Sequence, residues 1–336
     1  MSNQYTENRV KSLDKKDYYA LLKSETKGKS RYAATLLPVI GKRIAARRKS
    51  FTHCGKTPVL SAADGRQAVA TAVLAGKPFM AARYGTGEGK SLLEYWRLKL
   101  RYGDVPDRFS QNALDILCEN TGFFPNDKAA VWKWAEAESA AYADLDMLAL
   151  MNSVAEDWVT SRLCPQAILT TNSAYGSARV NWTHALAGKK VLVVHPYSKT
   201  IMNQYTQKRE QIFPGYDTLP EFDLKCVKAV QTSAGSTDER FQTWFEALDY
   251  MTDEIAKVDF DVCILGCGAY GFQLSSRIKQ MGKIAVQMGG STQILFGIRG
   301  ARWDKAFSYW YNDAWVSPLD EDKPKGFENI EGGCYW

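Results

Sequence analysis

From residue 259 to residue 304 the chain reads DFDVCILGCGAYGFQLSSRIKQMGKIAVQMGGSTQILFGIRGARWD, and this stretch limits the fold more than any other. An apolar run from Val262 to Leu265 ends in Gly266-Cys267-Gly268-Ala269-Tyr270-Gly271. An amphipathic segment, 272–281, then leads to a second apolar run, 284–286, and a second glycine pair, Gly289-Gly290. Two short apolar runs joined by one helix-length segment predict a strand–helix–strand crossover, which parallel strands require. Glycines at the carboxyl end of a strand let backbone N–H groups approach an anion at the positive end of the next helix.

The same alternation extends through most of the 336 residues. Helical patterns at 62–74, 92–101, 196–211 and 240–257 alternate with strand patterns at 78–83, 167–171, 190–195, 224–230, 260–265 and 283–286. Residues 110–160 read as helices, with Trp132, Trp134, Tyr142, Leu145, Leu148 and Trp158 supplying apolar faces. Strands separated by helices predict an α/β fold: a Rossmann-like, mainly parallel sheet with helices on both faces. The expected organisation is one α/β domain over 56–320 with a helical insertion near 105–160. A basic, partly flexible segment (1–55) precedes it and a tail (321–336) follows.

No apolar run reaches the roughly 20 residues that span a bilayer, and the polar start MSNQYTENRV does not read as a secretory leader, so a cytoplasmic protein is expected. Seven scattered cysteines fit reduced thiols better than a disulfide framework. Cys263 and Cys267, with no second pair and only three histidines in the chain, do not make a zinc site. Charge is uneven: residues 1–50 hold 13 Lys/Arg against 4 Asp/Glu, so they carry +9 of a net +6 and the remainder is −3. Its densest part, 41–49 (GKRIAARRK), suits either a solvated helix face or peripheral contact with an anionic membrane. No nucleic-acid motif accompanies it, so a nucleic-acid partner is not expected.

Ligands of such sheets bind outside the carboxyl ends of the strands. Those ends carry Arg83-Tyr84-Gly85-Thr86-Gly87-Glu88, His195-Pro196-Tyr197-Ser198, Gln231-Thr232-Ser233 and the two glycine turns. GCGAYG has dinucleotide spacing, but it lies late in the chain and the next strand ends in Gln287-Met288, with no carboxylate for a ribose. A different phosphate-bearing ligand, or glycines that only permit tight packing, fits better than NAD. Arg83 offers a bidentate fork to phosphate. Glu88 could hold a divalent metal, act as a base, or simply favour a helix start. His195 could contact phosphate, act as a base, or be structural. Gln204 and Arg209, on the helix after His195, are placed near the same edge, and Trp303 with Asp304 could stack on a base or pack in the core.

RYGTGE, followed much later by a strand–glycine turn–helix–strand–glycine unit, resembles glycosyltransferases of the GT-D fold. KKVLVVHPYSKTIMNQYTQKREQIFPG, KAVQ, WFEALDYM, DFDVCILGCGAYG, GKIAVQMGG and QILFGIRGARWD are similar to a GT-D-like family of polysaccharide-locus proteins, over roughly residues 60–310. The resemblance implies a transferase that moves a sugar from a nucleotide-diphosphate donor to a polysaccharide or lipid-linked glycan acceptor. Its alternative is a non-catalytic nucleotide-sugar binding or scaffold protein. In the family motif, Arg-Phe-Gly-Asp-Gly-Glu, an Asp-x-Glu pair binds metal; here Thr86 stands at the aspartate and Glu88 at the glutamate. Catalytic roles therefore fall to Glu88, Arg83 and His195, with Glu88 the metal ligand if Mn or Mg is used. Donor contacts fall to Gly85, Thr86, Gly87, Gly266, Gly268, Ala269, Tyr270, Gly271, Gly289, Gly290, Gln293 and Arg209.

Overall fold

The computed structural model describes residues 13–36, 52–176, 182–232, 238–323 and 331–335. The basic run 41–49 lies outside the described residues. Nine strands form one sheet: β1 (His53–Cys54), β2 (Thr57–Leu60), β3 (Phe79–Arg83), β4 (Met147–Leu150), β5 (Ile168–Thr171), β6 (Lys190–His195), β7 (Asp223–Lys228), β8 (Val262–Leu265) and β9 (Ile284–Gln287). Their order is β1-β2-β5-β4-β3-β9-β8-β6-β7. Only the β1–β2 pairing is antiparallel; every other pairing is parallel.

Twelve α-helices are described: α1 (Lys15–Leu36), α2 (Ala62–Ala75), α3 (Thr86–Tyr102), α4 (Gln111–Thr121), α5 (Lys128–Ala141), α6 (Glu156–Arg162), α7 (Ser173–Gly176), α8 (Ser198–Ile212), α9 (Trp244–Ala256), α10 (Tyr270–Gln280), α11 (Ser291–Leu295) and α12 (Ala301–Phe307). Successive strand side chains point to opposite faces, and the buried ones divide accordingly. Met80, Leu148, Leu192 and Cys263 join α3–α6, α9 and α10 in one core cluster. Ala81, Met147, Val191 and Val262 join α2, α8 and α11 in the other. Strands buried on both faces read as continuous apolar runs, which is why VLVV and VCIL are legible as strands. The helices are closed by local chemistry. Ser61 and Ser110 accept N-terminal N–H groups of α2 and α4, and left-handed Gly76 and Gly122 end them.

Three expectations are corrected. The 105–160 stretch is not wholly helical, because β4 runs through it and pairs with both β3 and β5 near the middle of the sheet. Its sequence, MLAL, consists of good helix formers, and only burial between two flanking strands makes it a strand. β1 and part of the N-terminal segment also belong to the domain. Leu21 of α1 is fully buried, Trp158 Nε1 donates to Asp17 O at 3.1 Å, and Arg162 pairs with Asp17. Finally, α3 begins at Thr86 rather than 92, so the glycine turn itself forms the first helical turn.

Trp244 of α9 is fully buried and stacks on Tyr270 at 5.1 Å with rings 5° from parallel. Replacing it with alanine opens a cavity under the 266–271 turn. Trp244→Ala is expected to lower unfolding free energy by about 3–5 kcal/mol, measured by urea denaturation.

Candidate functional site

Across the middle of this sheet, neighbouring strands send their chains to opposite faces. β3 feeds α3 on one face while β9 feeds α11 on the other; β8 feeds α10 while β6 feeds α8. Divergence of that kind leaves a crevice at the carboxyl edge. A cleft of about 340 Å³ lies there, walled by the ends of β3, β6, β7, β8 and β9. It brings together Arg83, Gly85, Thr86, Gly87, Glu88, His195, Gly266, Gly268, Tyr270, Gly289, Gly290 and Gln293.

Arg83 is the centre of the site. Its Nη1 donates to Met288 O at 2.9 Å, and its own backbone N–H donates to Gln287 Oε1 at 3.3 Å. Its buried Nε has no hydrogen-bond partner among the described residues. Burial lowers the guanidinium's pKa and Glu88 acts against that lowering, so the group stays cationic. Desolvation raises the Glu88 carboxyl's pKa, opposed by its own backbone N–H and by Arg83. A methyl at Gly85 would collide with Glu88 Oε2, so only glycine lets this carboxyl fold over the start of α3. Gly289 has φ +59°, and a Cβ there would lie 2.5 Å from Arg83 Nη1. Each glycine turn therefore makes room for one of the two charged groups.

The glycine turns spend much of their backbone on the protein itself. Gly266 N–H donates to Val194 O, Ala269 N–H to Thr121 O, Tyr270 N–H to Cys267 O, Gly271 N–H to Gly268 O and Gly289 N–H to Leu265 O. The hydrogen-bonding capacity left to the cleft therefore lies in side chains more than in the fingerprint-like turn. Lys90 and Arg302 add cationic groups to the same walls.

His195 is buried, and its Nδ1 accepts the Tyr197 backbone N–H at 3.0 Å. That bond places the neutral ring's proton on Nε2. Burial drives its pKa from 6.5 down to about 3, so the ring suits hydrogen-bond donation to an anion and not proton abstraction. At the mouth, Gln293 Nε2 donates to Tyr335 O at 2.9 Å and Trp303 Nε1 donates to Gln293 Oε1 at 3.1 Å. The Arg302 guanidinium lies over the Trp303 and Tyr335 rings at 5.6 and 5.0 Å.

Three predicted contacts fall elsewhere. Ala269 and Gly271 turn inward at the start of α10, where Gly271 gives Gln287 room. Arg209 sits eleven residues past the start of α8, about 16 Å along its axis. There it pairs with Glu210 at 2.9 Å beside a separate shallow pocket containing Tyr216 and Asp217. Gln204 is buried and donates to Gly297 O and Ala314 O. Sequence reading missed Lys90, Arg302 and Tyr335. Gln287, a polar residue closing an apolar strand, was a legible signal; Tyr335 had none, because the fold alone carries the tail to the cleft.

Comparison with protein-family models found no match, and comparison with curated proteins found none. A solved structure of the conserved domain of unknown function 1792, described as having a distinct glycosyltransferase fold, is similar to this chain. The likeness covers 80% of this chain and 94% of that one, at 9% identity and a TM-score of 0.43.

Because His195 has a depressed pKa, the unfolded chain binds more protons than the folded one between about pH 3 and the usual 6.5. Stability contributed by the neutral ring is present above pH 6.5 and is lost as pH falls. The slope from this residue approaches about 1.4 kcal/mol per pH unit. Urea unfolding from pH 6.5 downward is expected to show a shallower loss in His195→Gln than in the native chain.

Proposed function

We propose that the cleft binds the diphosphate of a nucleotide sugar and that the protein is a glycosyltransferase acting on a glycan or lipid-linked glycan acceptor. The observation that carries the proposal is Arg83: a cationic side chain with an unpartnered, buried Nε among the described residues, at the crevice where an α/β sheet takes its ligands. A diphosphate supplies an acceptor oxygen of the kind that Nε lacks. The RYGTGE resemblance points the same way, and Trp303 and Tyr335 offer aromatic surface to a base or sugar.

In this reading Glu88 accepts the proton of the acceptor hydroxyl, whose oxygen bonds to the sugar's anomeric carbon. The bond from that carbon to the diphosphate breaks, and its electron pair stays on the phosphate oxygen. Arg83, helped by the His195 Nε2–H, offsets the charge that develops there. A carboxyl with a raised pKa is a stronger base than an ordinary surface glutamate, which suits this role. Thr86, where the resembling motif has aspartate, favours a second reading: a nucleotide-sugar binding protein without turnover. The basic run 41–49 is proposed to hold the protein near an anionic membrane that presents the acceptor.

Calorimetry with UDP, GDP and CMP tests the first step. One nucleoside diphosphate is expected to bind, with Arg83→Met weakening it by about 10–100-fold. No binding at about 1 mM removes both readings. Glu88→Gln is expected to keep binding while donor turnover drops by about 10²–10⁴. Absence of turnover in the native chain, with binding intact, selects the non-catalytic reading. Liposome association that survives neutralising Arg47, Arg48 and Lys49 rules out the membrane role.

A further inference from the structure

The resembling motif uses two carboxylates to hold a divalent ion against the diphosphate, and the residues present do not fit that arrangement. Thr86 is exposed and neutral. Among the described residues no group of three or more His, Cys, Asp and Glu could hold a metal. Glu88 is the only carboxylate among the described residues that line the cleft, and Arg83 and Lys90 line the same wall.

A second carboxyl does stand near Glu88, but on the wrong side. Glu138 of α5 is buried, and its Oε2 accepts the Gln273 Nε2–H at 2.9 Å. It meets Glu88 only through a void of about 10 Å³ beneath the cleft, which Arg83, Gln287 and Tyr142 also line. Glu138 is not among the residues that line the cleft itself. The charged side chains among the described residues that line the cleft are therefore Arg83, Lys90 and Arg302 with Glu88, a set poor in carboxylates for a divalent ion and rich in donors for a diphosphate.

The geometry points to a diphosphate site that works without a divalent ion, in which the Arg83 guanidinium stands where the ion's charge is needed. This inference rests on the nucleotide-diphosphate reading above. It differs from the metal chemistry the motif implies, and it explains how RYGTGE tolerates the loss of one acid. Two contacts fix Arg83 in that position. Met288 O holds Nη1 and Met151 Sδ lies 3.8 Å from Nη2, Gly289 leaves Nη1 its space, and the buried Nε has no partner among the described residues. A fixed cation of this kind needs no reorganisation when the leaving group becomes charged.

Two measurements on the full chain decide it. Electron paramagnetic resonance follows free Mn²⁺ as protein is added without nucleotide, and calorimetry measures UDP and GDP with EDTA and with Mn²⁺. The expected result is an undiminished free-Mn²⁺ signal, nucleotide affinity equal within about twofold in the two conditions, and a loss of about tenfold or more in Arg83→Met in both. Mn²⁺ binding by the native chain that disappears in Glu88→Gln overturns the inference, as does nucleotide binding that strengthens about tenfold or more with Mn²⁺. Absence of nucleotide binding in every condition is a different failure: it removes the diphosphate reading itself, and this inference with it.

Discussion

The pairing of β3 with β9 is the contact on which the site depends. Phe79, Met80 and Ala81 sit opposite Ile284, Ala285 and Val286, so two parts of the chain about 200 residues apart lie side by side. That pairing carries RYGTGE to the edge of the second glycine turn. It sets Arg83 against Met288 O and Gln287, and it makes one of the divergence points in the sheet. Parallel pairing requires both faces to be covered, and the two core clusters cover them. The crevice follows from the topology, and the charged groups follow from the crevice.

Within the crevice, close packing and charge are solved together. The glycines that look like a phosphate-binding fingerprint mostly allow neighbouring strand ends to approach: a Cβ on Gly266 would meet His195 Cδ2 at 2.5 Å and Thr292 Oγ1 at 2.8 Å. Several of their N–H groups are tied to protein carbonyls. The chemical capacity left to the site lies in Arg83, Glu88, the His195 Nε2–H and the cationic rim. Burial governs each of the first three, making the imidazole neutral, the Glu88 carboxyl more basic and the guanidinium short of partners. Among the described residues that line the cleft, Glu88 is the one carboxylate, beside Arg83, Lys90 and Arg302.

The elements legible in the sequence share one property, an unambiguous period. KVLVVH and VCIL are β-branched runs too short and too apolar to be anything but buried strands, and the amphipathic segment between Gly271 and Gly282 could only return the chain to the sheet. β4 escaped because Met, Leu and Ala carry no strand preference, so nothing local separates MLAL from the helices around it. Arg209 was misplaced for a related reason: periodicity assigns a helix face but not which end of the helix meets the cleft.

The sequence by itself determined the α/β class, the parallel crossovers and the residue types at the strand ends, because these depend on local period and on where glycine interrupts it. It also placed Thr86 where the resembling motif has an aspartate. Only the tertiary structure decided that Arg83 lies within hydrogen-bond reach of the second glycine turn, that Glu138 sits behind Glu88, and that Tyr335 reaches the mouth of the cleft. These are contacts between segments far apart in the chain. No local pattern encodes them, since they arise from the order in which strands enter the sheet and from burial that the finished fold alone creates.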